Sequence, residues 1–221
     1  MDGNRRWARL HGRGLDAGYR GGIDALRAAV RAAAGSGVEV LTVYGFSTEN
    51  WRRDEREVAL LMRTLAAAAQ SELFGLLAER VRVRIIGDVA AFPAPARLAL
   101  EQLVRATAKN AGLTLQLALN YSGRAEIVRA VRSIADDVRA GTLRPADVDD
   151  ALVRSRMYAP EALDPELLVR TGGDLRISNF LLYQLAYTEI HTTPVLWPDF
   201  DESCFADALA DYERRVRRFG A

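Results

Sequence analysis

The stretch that decides the fold is VEVLTVYGF at residues 38–46, together with its counterpart LTLQLALNY at residues 113–121. Both are rich in β-branched and aromatic residues, which favour strands. Both are also almost continuously apolar, as expected of strands that are buried on both faces of a parallel sheet. Two further stretches predict strands: VRVRII at 81–86, whose alternating arginines indicate a more exposed edge, and LLVR at 167–170.

Helical patterns fill the intervals between these strands. Apolar residues recur every three or four positions from Ile23, from Ile127 and from Phe205, and the longest such pattern runs from about residue 54 to 78. The sequence contains no linker-like stretch and no repeat. The alternation of strand and helix predicts one α/β domain over residues 1–221, with a mostly parallel central sheet flanked by helices.

Composition excludes several classes of protein. The 221 residues carry 30 basic and 29 acidic side chains, a net charge of +1, whereas nucleic-acid binders show a clear basic excess. The single cysteine excludes an internal disulfide framework and a cysteine-based zinc site, and two histidines far apart in the sequence argue against a histidine-rich metal site. No apolar run approaches the roughly 20 residues of a transmembrane helix, and no signal peptide is recognised. We therefore expect a cytoplasmic protein without a nucleic-acid partner.

The basic side chains are almost all arginine, since Lys109 is the only lysine. A genome rich in G and C explains such a bias, and so does a set of guanidinium groups that bind phosphate in a bidentate manner. Composition alone leaves both explanations open.

Polar clusters follow three of the predicted strands, at residues 47–50, 120–123 and 170–173. Ligands of open α/β sheets gather beyond the carboxyl ends of the strands, so these clusters are candidates for one site. The first, within FSTENWRR at 46–53, fits either substrate contact or a helix cap. The third, within RTGGDLRISNF at 170–180, fits either an anion site or a structural loop, and its Ser178 is placed to cap a helix over 180–186.

Two other clusters have weaker signals. DGNRRW at residues 2–7 could hold a diphosphate and its metal, because a turn of backbone N–H groups and arginines favours anions. A solvated, frayed chain end is the alternative. Glu189 and WPDF at 197–200 read as packing and turn residues when taken singly. The sequence has no Walker P-loop and no GxGxxG, HExxH, GxSxG or DDxxD motif.

Taken together, the clusters resemble the cis-prenyltransferase family, which includes undecaprenyl diphosphate synthase and short-chain Z-prenyl diphosphate synthases. The resemblance covers essentially the whole chain in order. It rests on MDGNRRWA (1–8), YGFSTENWRR (44–53), LNYSGRAEIVRAV (119–131), RTGGDLRISNFLLYQLAY (170–187) and LWPDF (196–200). It implies an α/β fold with a parallel sheet, a hydrophobic substrate tunnel lined by the long helix, a homodimer and dependence on Mg²⁺.

The resemblance also implies roles for single residues. Asp2 would position Mg²⁺, Glu189 would be a second metal-linked acid, and Ser47 and Asn50 would act with Asp2 in catalysis. The residues implied in binding prenyl diphosphate substrates are Gly3, Asn4, Arg5, Arg6, Trp7, Trp51, Arg53, Arg170, Arg176, Ser178, Arg218 and Gly220. Within this set, residues 3–6 would surround the allylic diphosphate. Arg170, Arg176 and Ser178 would bind isopentenyl diphosphate, and Arg218 and Gly220 would reach the active site of the partner subunit.

Three departures from the family pattern bear on the reaction. The family has a strand immediately before the Met1-Asp2 motif, so either the sequence is truncated or the sheet lacks a central strand. Leu15 and Tyr19 stand where an arginine and a histidine usually help to hold the allylic diphosphate, and Asp174 stands where glutamate is common. Family members that join two allylic diphosphates head-to-middle also differ around these sites.

The sequence thus predicts a Mg²⁺-dependent prenyltransferase that condenses an allylic diphosphate with isopentenyl diphosphate to a short- or medium-chain cis-prenyl diphosphate. The alternative reaction is head-to-middle condensation of two allylic diphosphates to a lavandulyl-type product in specialised metabolism. A third alternative is a non-catalytic accessory subunit, against which the presence of Asp2 and of an intact RTGGDLRISN argues.

Overall fold

The computed structural model describes residues 1–216 of the chain. Within them the strands are β1 (Val40–Ser47), β2 (Arg82–Ile86), β3 (Thr114–Tyr121), β4 (Leu167–Arg170) and β5 (Glu189–Thr192). The helices are α1 (Asn4–Leu10), α2 (Leu15–Gly35), α3 (Glu55–Ser71), α4 (Leu73–Ala78), α5 (Ala94–Thr107), α6 (Gly123–Arg139), α7 (Asp150–Ser155) and α8 (Glu202–Glu213). The α/β class predicted from the sequence is confirmed. None of the helices in this part of the chain is both long and apolar enough to cross a membrane.

Strand β3 lies at the centre of a parallel sheet with the order β1-β3-β2. Leu117 of β3 is opposite Val43 of β1 on one side and Ile85 of β2 on the other. The position of β2 confirms the prediction of an edge strand at residues 81–86. The core lies where the apolar faces of α2, α3 and α5 cover this sheet, with fully buried side chains such as Leu100.

The central sheet is divided, which corrects the prediction of one sheet. Strands β4 and β5 form a separate parallel pair, in which Leu167 is opposite Glu189 and Arg170 is opposite Thr192. The sheet divides because no strand among the described residues lies between β1 and β4, so each of them keeps a free edge facing the same cavity.

The helices predicted from the apolar patterns that begin at Ile23, Ile127 and Phe205 are confirmed as α2, α6 and α8. The pattern over 54–78 forms two helices instead of one, because the chain bends at Glu72 between α3 and α4. The Glu72 carboxylate accepts two hydrogen bonds from the guanidinium of Arg27 on α2, at 2.6 and 2.9 Å. Asp54 caps α3 by accepting from the N–H of Arg56.

The helix predicted over residues 180–186 is wrong, since the segment forms consecutive turns. Ser178, Asn179 and Leu181 have φ values of 50°, 64° and 42°. Residues in this left-handed region do not continue a right-handed helix. Ser178 therefore caps no helix, and its hydroxyl instead accepts a hydrogen bond from Arg170 at 3.0 Å.

A buried carboxylate ties α6 to the segments that follow it. Glu126 is only 1% exposed, and its oxygens accept hydrogen bonds from the hydroxyl of Tyr121, from the side-chain amide of Gln184 at 3.1 Å and from the N–H of Tyr158 at 2.8 Å. Buried charge is tolerated when it is fully hydrogen-bonded in this way.

Replacing Glu126 by alanine is expected to lower the free energy of unfolding by about 2–4 kcal/mol, because the buried donors of Tyr121 and Tyr158 lose their acceptor. Urea denaturation would measure the change. The matched control is Glu101→Ala on the surface of α5, which should stay within about 0.5 kcal/mol of wild type. A loss below about 1 kcal/mol in Glu126→Ala would show that the network contributes little.

Candidate active site

Asp2 is docked at the carboxyl ends of β1 and β4 and is not part of a solvated chain end. Its N–H donates to Thr171 Oγ1 at 2.9 Å, and its carbonyl accepts from Thr171 Oγ1 at 3.0 Å and from the N–H of Trp197 at 2.9 Å. These backbone bonds leave the carboxylate free to face the loop after β4. There it accepts from Arg170 Nη2 at 2.7 Å and lies 3.6 Å from Arg6 Nη2.

Two glycines let these loops approach closely. Gly3 has φ of 119°, and a Cβ there would lie 2.9 Å from Leu196 Cδ2. Gly172 has φ of 83°, and a Cβ there would lie 2.3 Å from Arg6 Nη2. The carbonyl of Gly172 accepts from Arg6 Nη1 at 2.7 Å. A side chain would therefore clash with Leu196 at position 3 and with Arg6 at position 172, and it would strain the backbone at both positions.

Arg170 organises the loop that follows its own strand. Its Nη1 donates to the carbonyl of Arg176 at 2.9 Å and to Ser178 Oγ at 3.0 Å, and its side chain is 15% exposed. Its Nε is buried without a hydrogen-bond partner. Asp174 lies within the same loop, with Oδ2 at 2.6 Å from Arg176 Nη2 and at 3.4 Å from Arg170 Nη2.

The electrostatic surroundings keep Asp2 ionised. Burial alone would raise the pKa of Asp2, but the charge and hydrogen bond of Arg170 outweigh it, so this pKa lies below its ordinary value. The site therefore presents a carboxylate next to the guanidinium groups of Arg6 and Arg170, with Arg176 in the loop that Arg170 organises. This arrangement is suited to a diphosphate together with a divalent cation.

The donor set at Asp2 fits Mg²⁺. A carboxylate oxygen is a hard ligand, and 36% of the Asp2 side chain is exposed. Within residues 1–216, no three His, Cys, Asp or Glu side chains come together in a metal-binding group. Mg²⁺ commonly takes one or two carboxylates from the protein and the remaining oxygens from substrate phosphates and water.

A second ionic cluster lies beside the first and includes a residue that sequence reasoning missed. Glu57 on α3 is 6% exposed, accepts from the hydroxyl of Tyr19 at 2.7 Å and from Arg53 Nη1 at 3.0 Å, and lies 3.7 Å from Arg5 Nε. Arg53 Nη1 also reaches the Tyr19 hydroxyl at 3.2 Å. Burial and the bond to Glu57 raise the pKa of Tyr19, which therefore stays protonated. In the sequence, Glu57 is recognisable only as an acidic residue beside the apolar face of the helix predicted over 54–78.

The loop after β1 forms a short 3₁₀ helix over Thr48–Arg52. Asn50 Oδ1 accepts from the N–H of Ser47 at 3.1 Å, so the cap predicted as one alternative is present. Trp51 is 37% exposed, and its Nε1 donates to Asn120 Oδ1 at 2.8 Å. This bond places the indole between the ends of β1 and β3.

Asn179 links the site loops, and sequence reasoning missed it as well. Its Nδ2 donates to Glu49 Oε1 and to Ser122 Oγ, both at 2.8 Å. Its Oδ1 accepts from the N–H of Arg124 at 2.9 Å. One side chain thus connects the segments that follow β1, β3 and β4.

A cavity of about 1250 Å³ extends from this polar cluster into the apolar interior, beyond the roughly 300–1,000 Å³ of ordinary small-molecule pockets. Asp2, Arg170 and Arg176 border it. The free edges of β1 and β4 also line it. Its apolar walls include Ile23, Leu26, Val30, Leu61, Leu65 and Leu100.

Comparison with known proteins decides the family. The family model described as putative undecaprenyl diphosphate synthase matches residues 1–220. The chain belongs to the cis-prenyltransferase family. It is 48% identical to an isoprenyl transferase of Porphyromonas gingivalis and 45% identical to a ditrans,polycis-undecaprenyl-diphosphate synthase, (2E,6E)-farnesyl-diphosphate specific, of Salmonella paratyphi A. Each match spans 220 residues, all of this chain and 87% of the relative.

A solved structure is similar to this cis-prenyltransferase over its whole length. It is the lavandulyl diphosphate synthase of Lavandula x intermedia in complex with dimethylallyl diphosphate, with a TM-score of 0.97 and 35% identity. The match covers 100% of this chain and 95% of that one. The named relatives confirm the prediction of a prenyltransferase enzyme.

Most of the site residues implied by the resemblance come together in this cis-prenyltransferase. Around Asp2 and the loop that follows β4 lie Gly3, Arg6, Arg170, Arg176 and Ser178. Arg5 and Arg53 meet at Glu57, while Ser47, Asn50 and Trp51 form the neighbouring loop.

Other predicted site residues have different surroundings. Glu189 is paired with Leu167, at the opposite end of β4 from Arg170, and its carboxylate accepts from Arg215 Nη1 at 2.9 Å. A single chain thus does not bring Glu189 to Asp2. The indole of Trp7 donates to Asp199 Oδ1 at 2.6 Å, and Asn4 Oδ1 is buried without a hydrogen-bond partner. The predicted residues Arg218 and Gly220 lie outside the described residues.

Proposed function

We propose that this chain is a Mg²⁺-dependent cis-prenyl diphosphate synthase that condenses an allylic diphosphate with isopentenyl diphosphate to a short- or medium-chain product. The observation that carries this proposal is the cluster in which Arg6 and Arg170 contact the Asp2 carboxylate while Arg176 pairs with Asp174 in the adjoining loop. Guanidinium groups pair with phosphate oxygens in a bidentate manner, and the carboxylate supplies the oxygen ligand that Mg²⁺ prefers.

In the proposed reaction, the bond between C1 of the allylic group and its diphosphate oxygen breaks, and pyrophosphate leaves with the electron pair. The double bond of isopentenyl diphosphate attacks the allylic carbon to form the new carbon–carbon bond. A proton then passes from C2 of the isopentenyl unit to the released pyrophosphate, and the C–H electrons form the new double bond. Arg6, which the resemblance assigns to the allylic diphosphate, would stabilise the charge that develops on the departing oxygens. Asp2 would hold Mg²⁺, which when bound supplies further positive charge at the pyrophosphate.

The growing prenyl chain would occupy the apolar part of the cavity as a substrate tunnel. Side chains of α2 and α3, such as Leu26, Val30, Leu61 and Leu65, supply an apolar wall beside the polar cluster. Such a wall lowers the free energy of a bound hydrocarbon chain and excludes water from the allylic cation.

Head-to-middle coupling of two allylic diphosphates is a second candidate, favoured by the cluster around Glu57. Tyr19 and Leu15 replace the histidine and arginine that the family pattern places at the allylic diphosphate. The Glu57 carboxylate is engaged by Arg5, Arg53 and Tyr19, which reduces the positive charge available to a diphosphate on that side. The similar structure named lavandulyl diphosphate synthase supports this candidate.

The proposal includes a cytoplasmic homodimer. The resemblance assigns Arg218 and Gly220 to the partner's active site, and Glu189 lies away from Asp2 in a single chain. A second subunit offers a way to bring such residues to a site that one chain does not complete. Sedimentation equilibrium would test the dimer directly.

One assay tests both reactions. The purified chain with Mg²⁺ is given dimethylallyl, geranyl or farnesyl diphosphate, each with and without isopentenyl diphosphate, and the products are identified by mass and NMR. Product that requires isopentenyl diphosphate supports chain elongation. Product that forms only in its absence overturns elongation in favour of head-to-middle coupling. No product under any pairing overturns both.

Replacing Arg176 by alanine is expected to raise KM for the second substrate about tenfold, with a smaller change in kcat. Its side chain is 63% exposed and extends over Asp174, so its loss removes a phosphate ligand without opening the core. Steady-state kinetics with the second substrate varied would measure the effect. The matched control is Arg139→Ala, an 83% exposed arginine on α6. An unchanged KM would contradict the placement of Arg176 at that diphosphate.

A further inference from the structure

Asp174 holds the three arginines of the candidate diphosphate site together. Its Oδ2 lies 2.6 Å from Arg176 Nη2, 3.4 Å from Arg170 Nη2 and 3.9 Å from Arg6 Nη2. The three guanidinium groups thus converge on one carboxylate oxygen although they come from two separate segments of the chain. We infer that Asp174 occupies the place of a diphosphate oxygen in the unliganded enzyme and is displaced from the arginines when a diphosphate binds.

Asp174 offsets positive charge that Asp2 alone does not, because Asp2 contacts Arg6 and Arg170 whereas Arg176 pairs with Asp174. Three guanidinium groups within a few ångströms of one another repel, and a carboxylate among them offsets that repulsion. Arg6 and Arg170 are also fixed by neutral acceptors, the carbonyl of Gly172 at 2.7 Å and the carbonyl of Arg176 at 2.9 Å. These two arginines therefore keep their positions when the anion between them changes.

The chemistry of guanidinium makes the exchange feasible. The same fork of N–H donors matches a carboxylate and a phosphate, and a diphosphate carries more negative charge than one carboxylate. Asp174 sits in a loop whose Gly172 and Gly173 have φ of 83° and 76°, and 26% of its side chain is exposed. It is thus a positioning residue that arranges the arginines before binding and competes with the ligand for them.

The inference rests on the proposed function, because it takes Arg170 and Arg176 to bind the diphosphate of the second substrate, with Arg6 of the allylic diphosphate site beside them. Calorimetric titration of the full-length chain with inorganic pyrophosphate, without Mg²⁺, distinguishes a failure of the inference from a failure of the proposed function. Failure of the wild-type chain to bind pyrophosphate would overturn the proposed site itself. Binding by wild type, followed by the Asp174 variants below, tests the inference alone.

Asp174→Asn keeps the shape of the side chain and removes its charge, so it is expected to bind pyrophosphate about five- to tenfold more tightly than wild type. Asp174→Glu keeps the charge and should bind within about twofold of wild type. Unchanged or weaker binding of pyrophosphate by Asp174→Asn would overturn the inference. If Asp174 only held the loop in place, its replacement would misplace the arginines and would not tighten binding.

Two further measurements make the result specific. Asp16→Asn on the exposed surface of α2 removes the same charge elsewhere and should leave the affinity unchanged. If Asp16→Asn binds pyrophosphate as tightly as Asp174→Asn does, the gain in affinity comes from net charge alone and the inference is overturned. Should Asp174→Asn fail to fold by circular dichroism, Asp174→Ser is titrated in its place with the same expectation.

Discussion

Replacing Asp2 by alanine is expected to lower kcat/KM by at least about 10³-fold, the largest effect of any single substitution at this site. The carboxylate is the proposed oxygen ligand of Mg²⁺ and accepts a hydrogen bond from Arg170 at 2.7 Å. Without it, Arg170 would lose the nearer of its two carboxylate partners and the proposed metal site would lose its protein ligand. Steady-state kinetics at saturating Mg²⁺ would measure the loss.

The structure separates this effect from misfolding. The bonds that dock residue 2 come from its backbone, to Thr171 and Trp197, and alanine retains them. The matched control is Asp16→Ala, whose exposed carboxylate pairs with Arg20 on α2 and should leave kcat/KM within about twofold of wild type. Activity of Asp2→Ala within about tenfold of wild type would contradict the metal-binding role.

The lowered pKa of Asp2 also predicts a dependence of stability on pH. A group whose pKa is lower in the folded than in the unfolded state adds stability above its ordinary pKa. This contribution is lost as the pH falls through the lowered value. The difference in free energy of unfolding between wild type and Asp2→Asn should therefore be present at pH 7 and shrink below about pH 4.

The part of the fold that the sequence could predict is the part set by local pattern. The stretches at 38–46 and 113–121 are mostly apolar and rich in strand-forming residues, and they became β1 and β3. The predicted burial on both faces holds for β3 but is wrong for β1, in which only Val43 and Phe46 are buried because its free edge faces the cavity. Strand β5 was not predicted because EIHT has little apolar character, with Ile190 49% exposed, and forms through backbone pairing with β4. A missing central strand was one alternative from the resemblance, but the division into two sheets did not follow from local pattern, since it depends on which strands are adjacent in space.

The candidate site was likewise predictable where it depends on local sequence and not where it depends on contacts between distant residues. Polar clusters after strands were predictable because parallel strands end at one edge of a sheet. Glu57 and Asn179 were not, because their roles depend on partners that lie 38 and 130 positions away, Tyr19 and Glu49. The helix over 180–186 was wrong because left-handed backbone at Ser178 overrides an apolar pattern.

This geometry also separates the explanations of the many arginines. Arg6, Arg170 and Arg176 converge on two carboxylates at one edge of the molecule, whereas Arg139 is 83% exposed and pairs with its neighbour Asp136. Genome bias remains a sufficient explanation for an arginine such as Arg139, which contacts no part of the candidate site. It does not account for a guanidinium such as Arg170, which is 15% exposed and spans an entire loop.

Replacing Arg170 by lysine is accordingly expected to lower kcat/KM about 10²-fold although the positive charge is kept. The planar guanidinium bonds the carbonyl of Arg176 and Ser178 Oγ through Nη1 while Nη2 bonds Asp2. An ammonium group is a point charge and cannot reach both sides of the loop at once. Loss of the fork should therefore misplace both Asp2 and the loop that carries Arg176.

The control for this prediction is Arg20→Lys, in which a 71% exposed arginine that pairs with Asp16 undergoes the same change. Its kcat/KM should stay within about twofold of wild type, because exposed ion pairs contribute little. Since both substrate binding and the position of Asp2 depend on Arg170, kcat should fall and KM should rise together in Arg170→Lys. If kcat/KM stays within about fivefold of wild type, charge alone suffices at this position and the geometric role of the guanidinium is refuted.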